Sequence, residues 1–212
     1  MQGDSLKKIV ITPRLSLDEG TKELRISLDT AWIRLLEEVG CEIMIAPYGQ
    51  NMLKTVRDFG ADGIILSGGG DLSVISNAEE NILRDGYEKE LVDFAVDAKI
   101  PLLGVCRGMQ FLGVYFGGHL MEVSNHRRST HIVEFDDDFY GAKSISCNSY
   151  HNYALKDVGQ MSIVATSPDG VIESVRHKEH DIFGIMWHPE RDEPFKQEHV
   201  GFLRRIFSKI NF

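Results

Sequence analysis

"PLLGVCRGMQFLGVYFGG", residues 101–118, runs from a short apolar segment through Cys106 into a second apolar segment of helical period. This order predicts a strand over 101–106, a sharp turn, and a helix that starts near Arg107 and ends at Gly117-Gly118. Gly104 and Gly108 stand two residues before and two after the cysteine. A nucleophile on a strand-to-helix turn needs small residues at those places, because the turn leaves no room for side chains. The free N–H groups and positive dipole end of the helix would favour a thiolate there. The other reading of Cys106 is a buried small hydrophobe at a strand end.

The chain before this stretch repeats the alternation. Strands are predicted at 7–12, 41–47 and 61–70, and helices at 28–40, 51–60 and 86–100. Such βαβα order implies an α/β fold, a doubly wound parallel sheet with helices on both faces and ligand sites at the carboxyl ends of its strands. After about residue 120 the texture changes: "HIVEF" (131–135), "KSISC" (143–147), "SIVAT" (162–166), "VIESV" (171–175) and "DIFGIMW" (181–187) are short strand candidates with little helix between them. They predict an antiparallel extension of the same sheet, closed by a helix over 198–210. No repeat, low-complexity tract or linker divides the 212 residues, so a single domain over 1–212 is expected.

The formal net charge of −9, with "HRR" (126–128) as the one basic cluster, argues against a nucleic-acid partner. No apolar run approaches the ~18 residues of a membrane span, and the first residues lack the apolar core of a secretory signal, so no membrane partner and a cytoplasmic location are expected. Cys41, Cys106 and Cys147 are an odd set without CxxC spacing, which disfavours a disulfide framework.

A thiol nucleophile needs a base, and the base an orienting carboxylate. "IFGIMWHPERDE" (182–193) delivers His188 at the end of an apolar strand, with Glu190 two residues on. "ILSGGGDLSV" (65–74) puts three glycines at another strand end, either a flexible turn or a loop whose N–H groups can approach an oxyanion. His177 and His180 read as part of a charged, exposed turn. His126 and His131 lack regular ligand spacing, so no metal site is expected.

"GVCRGMQ", "WHPE" and "SGGGD" together, in this order, resemble the class I glutamine amidotransferase superfamily. The resemblance covers nearly the whole chain and implies a flavodoxin-like fold with a Cys-His-Glu triad and no cofactor. On it, Cys106 would be the nucleophile, His188 the base and Glu190 its orienter. The N–H groups of Gly69 and Arg107 would form the oxyanion hole, and Gln110 would contact a glutamyl group. "NSYHN" (148–152), with Gly70-Asp71 where glutaminase subunits usually have GGP, is similar to the free-standing γ-glutamyl hydrolases of the peptidase C26 group. There Gly68, Gly70, Ser149, Tyr150, His151 and Asn152 would face a small γ-glutamyl substrate, although "NSYHNY" alone equally reads as a polar turn. Over its length the chain looks most like the bacterial γ-glutamyl-CDP-amidate hydrolases of capsular phosphoramidate synthesis. Arg127 and Arg128 then become candidate diphosphate contacts, or else a solvated charged turn. The alternative is a glutaminase subunit that delivers ammonia to a partner synthetase.

Overall fold

The computed structural model describes residues 6–136 and 140–208. In chain order the strands are β1 (Lys7–Ile11), β2 (Arg14–Leu17), β3 (Leu24–Ser27), β4 (Cys41–Ile45), β5 (Gly63–Leu66), β6 (Leu102–Val105), β7 (His119–Glu122), β8 (Arg127–Phe135), β9 (Ser144–Tyr150), β10 (Tyr153–Asp157), β11 (Met161–Thr166), β12 (Ile172–His177) and β13 (Ile182–Ile185). The helices are α1 (Thr30–Val39), α2 (Met52–Phe59), α3 (Glu79–Ala98), α4 (Arg107–Tyr115) and α5 (Gln197–Phe207).

Nine strands form one sheet in the order β4-β1-β5-β6-β13-β12-β11-β8-β9. The pairs from β4 to β13 are parallel and those from β13 to β9 antiparallel, so the expected extension continues the same sheet. Alternate residues of β1 go to opposite faces. Ile9 and Ile11 pack with Trp32, Leu35 and Leu36 of α1 and Leu203 of α5. Val10 packs with Met52 and Val56 of α2, Leu91 of α3, and Met109 and Leu112 of α4. Two apolar layers on one sheet are the doubly wound arrangement, and each fully buried Leu or Ile contributes about 1.5–3 kcal/mol.

The helix ends follow local chemistry. Asp29 Oδ1 accepts from the Ala31 N–H at 2.9 Å to start α1, and Gly40, at φ 93°, ends it. Elsewhere the elements depart from expectation. α3 begins at Glu79, ahead of the predicted start at 86. The hairpin β2–β3 and the separate pair β7–β10 stand where no strands were predicted. β8 begins at Arg127 and β9 runs to Tyr150, so Arg127-Arg128 and Ser149-Tyr150 lie in paired strands, not in turns. Among the described residues, no helix is long and apolar enough to cross a membrane.

Candidate active site

β6 and β13 are parallel, hydrogen-bonded neighbours, with Val105 opposite Ile185, so Cys106 and the segment leading to His188 leave the sheet at the same, carboxyl, end of the strands. The Cys106 N–H donates to the Ile185 carbonyl at 2.7 Å, and the next residue begins α4. Cys106 sits at φ 52°, ψ −105°, a conformation that costs a non-glycine residue about 1–3 kcal/mol. The turn is sharp enough that a Cβ on Gly104 would lie 2.5 Å from Gly108 backbone, and one on Gly108 would lie 2.2 Å from the Leu66 carbonyl oxygen. Both glycines are therefore sterically required.

His188 is buried, and its Nδ1 lies 2.8 Å from Glu190 Oε1 on the short 3-10 turn Pro189–Arg191. The ring and Cys106 line the same cavity. Burial opposes the imidazolium, but the Cys106 sulfur and the Glu190 carboxylate outweigh it and push the His188 pKa up to about 9. A Cβ on Gly68 would come 2.7 Å from His188 Cε1 and 3.4 Å from Cys106 Cβ, so this glycine makes room for the histidine. Asn148, which no expected role singled out, fixes the backbone of His188. Its Oδ1 accepts from the His188 N–H at 2.9 Å, and its Nδ2 donates to the His188 carbonyl at 2.8 Å.

The glycine loop is held from below by a buried ion network that also escaped sequence reasoning. Arg84 donates to the carbonyls of Gly69 and Ser67, both at 2.6 Å, and its Nε to Glu88 Oε1 at 2.8 Å. Arg107 pairs with Glu88 and Asp85 and donates to the Asp71 carbonyl at 3.2 Å. Thr12 Oγ1 donates to Glu88 at 3.0 Å and accepts from the Ser67 N–H. Glu88 is fully buried; burial favours its neutral form, but the Arg107 and Arg84 guanidiniums prevail and hold its pKa below the ordinary carboxylate range. The Arg107 side chain thus points into the scaffold, and only its backbone N–H, the first of α4, is free of the helix ladder by position.

A cavity of about 460 Å³ opens over Cys106 and is lined by most of the expected contacts: Gly69, Gly70, Arg107, Gln110, Arg127, Arg128, Tyr150, His151, Asn152 and His188. Gly68 instead lines an adjoining cavity of about 340 Å³ with Trp32 and Glu190. Ser149 lines neither. It is buried, and its Oγ donates to the His126 carbonyl at 2.5 Å, because Tyr150 and Ser149 point to opposite sides of β9. Gln110 donates to the Tyr153 carbonyl at 2.8 Å. Tyr150 packs edge-on to the His188 imidazole, and the Arg191 guanidinium lies 4.4 Å from the centre of its ring. Arg14, from the β2–β3 hairpin, and Arg191 join Arg127 and Arg128 around the same space, so four arginines line it besides Arg107, whose guanidinium is taken by Glu88 and Asp85. Arg14 and Arg191 carried no local signal; they are isolated cations in the sequence.

The remaining thiols and histidines also find places. Cys147 packs fully buried in the core, and burial raises its pKa far from the reactive range; Cys41 is raised to about 11 for the same reason. His177 is buried, contrary to the expected exposed turn, because its Nδ1 accepts from the N–H groups of Glu179 and His180 and caps the bend.

A thiol, an imidazole and a carboxylate in a row, beside backbone N–H groups, is an arrangement suited to acyl transfer from a carbonyl. The chain is 32% identical over 213 residues to a γ-glutamyl-CDP-amidate hydrolase from Campylobacter jejuni, covering 95% of this chain and 98% of the relative. It is 28% identical over 162 residues to a glutamine-hydrolyzing GMP synthase subunit from Methanococcus maripaludis, covering 74% and 79%. The crystal structure of a glutamine amidotransferase from Thermotoga maritima superposes with a TM-score of 0.70 at 16% identity, over 97% of this chain and 100% of that one, and thus shares the fold. The Peptidase C26 family model matches residues 28–190, a stretch that runs from the first helix to the glutamate beside His188, and the chain belongs to that family.

Proposed function

We propose that the protein hydrolyses the γ-glutamyl amide bond of a small conjugate whose leaving group is an anionic nucleotide, with γ-glutamyl-CDP-amidate as substrate. The observation that carries this reading is the composition of the cavity: Cys106 and His188 line it together with Arg14, Arg127, Arg128 and Arg191. A glutamyl group offers one carboxylate outside the scissile amide, which leaves cationic capacity for a diphosphate. The C. jejuni relative, similar over nearly its whole length, bears the name of that activity.

In this scheme the Cys106 thiolate attacks the γ-carbonyl carbon while the N–H groups of Gly69 and Arg107 receive the charge that develops on oxygen. Donors of this kind contribute about 3–4 kcal/mol each. His188, oriented by Glu190, passes its proton to the departing nitrogen as the C–N bond breaks and a γ-glutamyl thioester forms. The same histidine then takes a proton from water, whose oxygen attacks the thioester and releases glutamate. Gln110, Tyr150 and Asn152 hold the glutamyl end, and Arg14, Arg127, Arg128 and Arg191 the diphosphate.

The test is glutamate release by the purified protein from γ-glutamyl-CDP-amidate, simple γ-glutamyl amides and glutamine, with Cys106→Ala as control. Fast, Cys106-dependent release from the nucleotide conjugate is the expected result. Equal rates on all three would overturn the leaving-group assignment, and slow release from all, stimulated by a synthetase, would favour an ammonia-delivering role like that of the GMP synthase relative.

A further inference from the structure

At the cavity wall, where His151 lines the space, four side chains from distant parts of the chain converge. His126 precedes β8, His131 lies within it, His151 follows β9 and Glu173 lies in β12. His126, His151 and Glu173 are at most 3% exposed, and their candidate ligand atoms lie within 4.8 Å of one another. The nitrogens nearest Glu173 Oε1 are His131 Nε2 at 3.1 Å, His126 Nδ1 at 3.2 Å and His151 Nε2 at 3.5 Å. None of these atoms makes a well-formed hydrogen bond, and both Glu173 oxygens lack one.

The far side of two rings decides what the near side offers. His126 Nε2 lies 3.0 Å from the Asp169 carboxylate, and His151 Nδ1 lies 3.0 Å from the Tyr153 carbonyl. Carboxylates and carbonyls only accept, so those two nitrogens carry the ring protons. In a neutral imidazole the opposite nitrogen then presents a lone pair, and here both lone pairs face a buried carboxylate. Lone pairs aimed at an anion repel unless a cation lies between them. Metal-bound histidines are typically braced in this way, with the far N–H on a carboxylate or a backbone carbonyl.

We infer that His126 Nδ1, His151 Nε2 and Glu173, with His131 Nε2 as fourth donor, form a site for a divalent ion of the zinc type. Bonds of about 2.1 Å in a tetrahedron give ligand–ligand edges of roughly 3.4 Å. The three N–O distances bracket that value. Three buried donors, with the partly exposed His131 at the rim, make a structural site built of protein ligands. Its mechanical effect falls on the cavity wall, because Arg127 and Arg128 adjoin His126, and Tyr150 and Asn152 flank His151. The site stands on these side chains and is independent of the proposed hydrolase chemistry.

The test uses the full chain, stripped with a chelator and titrated with cobalt(II) as a visible probe, alongside elemental analysis of the protein as purified. One equivalent of cobalt with the intense d–d absorption of a tetrahedral N/O site is expected, displaced by zinc. A rise in melting temperature on the order of 5 °C at saturating metal should accompany it. Glu173→Gln and His126→Ala should abolish the absorption. Because the titration reads the unmodified protein, a misfolding variant does not decide the matter. The inference is overturned if the wild-type protein takes up no stoichiometric metal, or if nitrogen NMR of the protein at saturating metal finds His126 and His151 doubly protonated, the state in which imidazolium protons alone would neutralise Glu173.

Discussion

The imidazole of His188 ties the electrostatics of the site to pH. Its pKa of about 9 lies above the ~6.5 of an exposed histidine, so the folded state binds this proton more tightly than the unfolded chain. The stabilisation, about 3 kcal/mol, is fully present below pH ~6.5 and is lost as pH rises toward 9. In the proposed mechanism the same proton goes to the leaving nitrogen, so kcat/KM should fall about tenfold per pH unit above 9. Glu190→Gln removes one of the two groups that hold the proton, and the alkaline limb should move to lower pH. A pH–rate profile of the two proteins checks this; an unmoved limb would assign it to another group. Cys106, His188 and Glu190 were legible in the sequence because each is announced within a few residues, by the glycines at 104 and 108 and by the strand before "HPE". The convergence of His126, His131, His151 and Glu173 was not, because their spacings follow no ligand rule and only the packing of β8, β9 and β12 brings them together.

Helix α3 acts on the site from a distance. Arg84, Asp85 and Glu88, on successive turns of one face, fix the glycine loop through Arg84 and the first residue of α4 through Arg107. Glu88→Gln would leave two guanidiniums facing each other with their central anion removed. A loss of about 3–5 kcal/mol is expected in urea unfolding, the cost of breaking a buried pair. A variant within about 1 kcal/mol of wild type would show that the network carries little energy. Periodicity places the start of α3 at 86 because the polar turns ahead of it present no apolar stripe; Asn81 and Arg84 are buried there through hydrogen bonds to loop carbonyls, which hydrophobic patterning does not detect. The β2–β3 hairpin escaped notice for a similar reason: β3 is exposed along its length, so no inward face imposes alternation. The parallel strands β5 and β6 were plain because burial on both faces demands continuous apolar runs, and β1 because Ile9, Val10 and Ile11 are buried in succession.

Across the whole molecule, a net charge of −9 coexists with a cavity ringed by Arg14, Arg127, Arg128 and Arg191. The overall charge repels an anionic substrate at long range, and the local arginines attract it within roughly a Debye length. If those arginines hold a diphosphate, KM for γ-glutamyl-CDP-amidate should rise about fivefold between roughly 0.05 and 0.5 M NaCl, while KM for an uncharged γ-glutamyl anilide stays within about twofold. Steady-state kinetics over that range checks it, and parallel salt responses would remove the arginines from leaving-group recognition. The pairing of β6 with β13 carries a longer consequence. Cys106 and His188 are set by one ladder in the middle of the sheet, whereas Arg14 comes from a hairpin, Arg127 and Arg128 from a bulged strand start and Arg191 from the turn after His188. In the proposed reaction, change at those flanking segments would therefore alter which leaving group is accepted without disturbing the ladder that sets Cys106 beside His188.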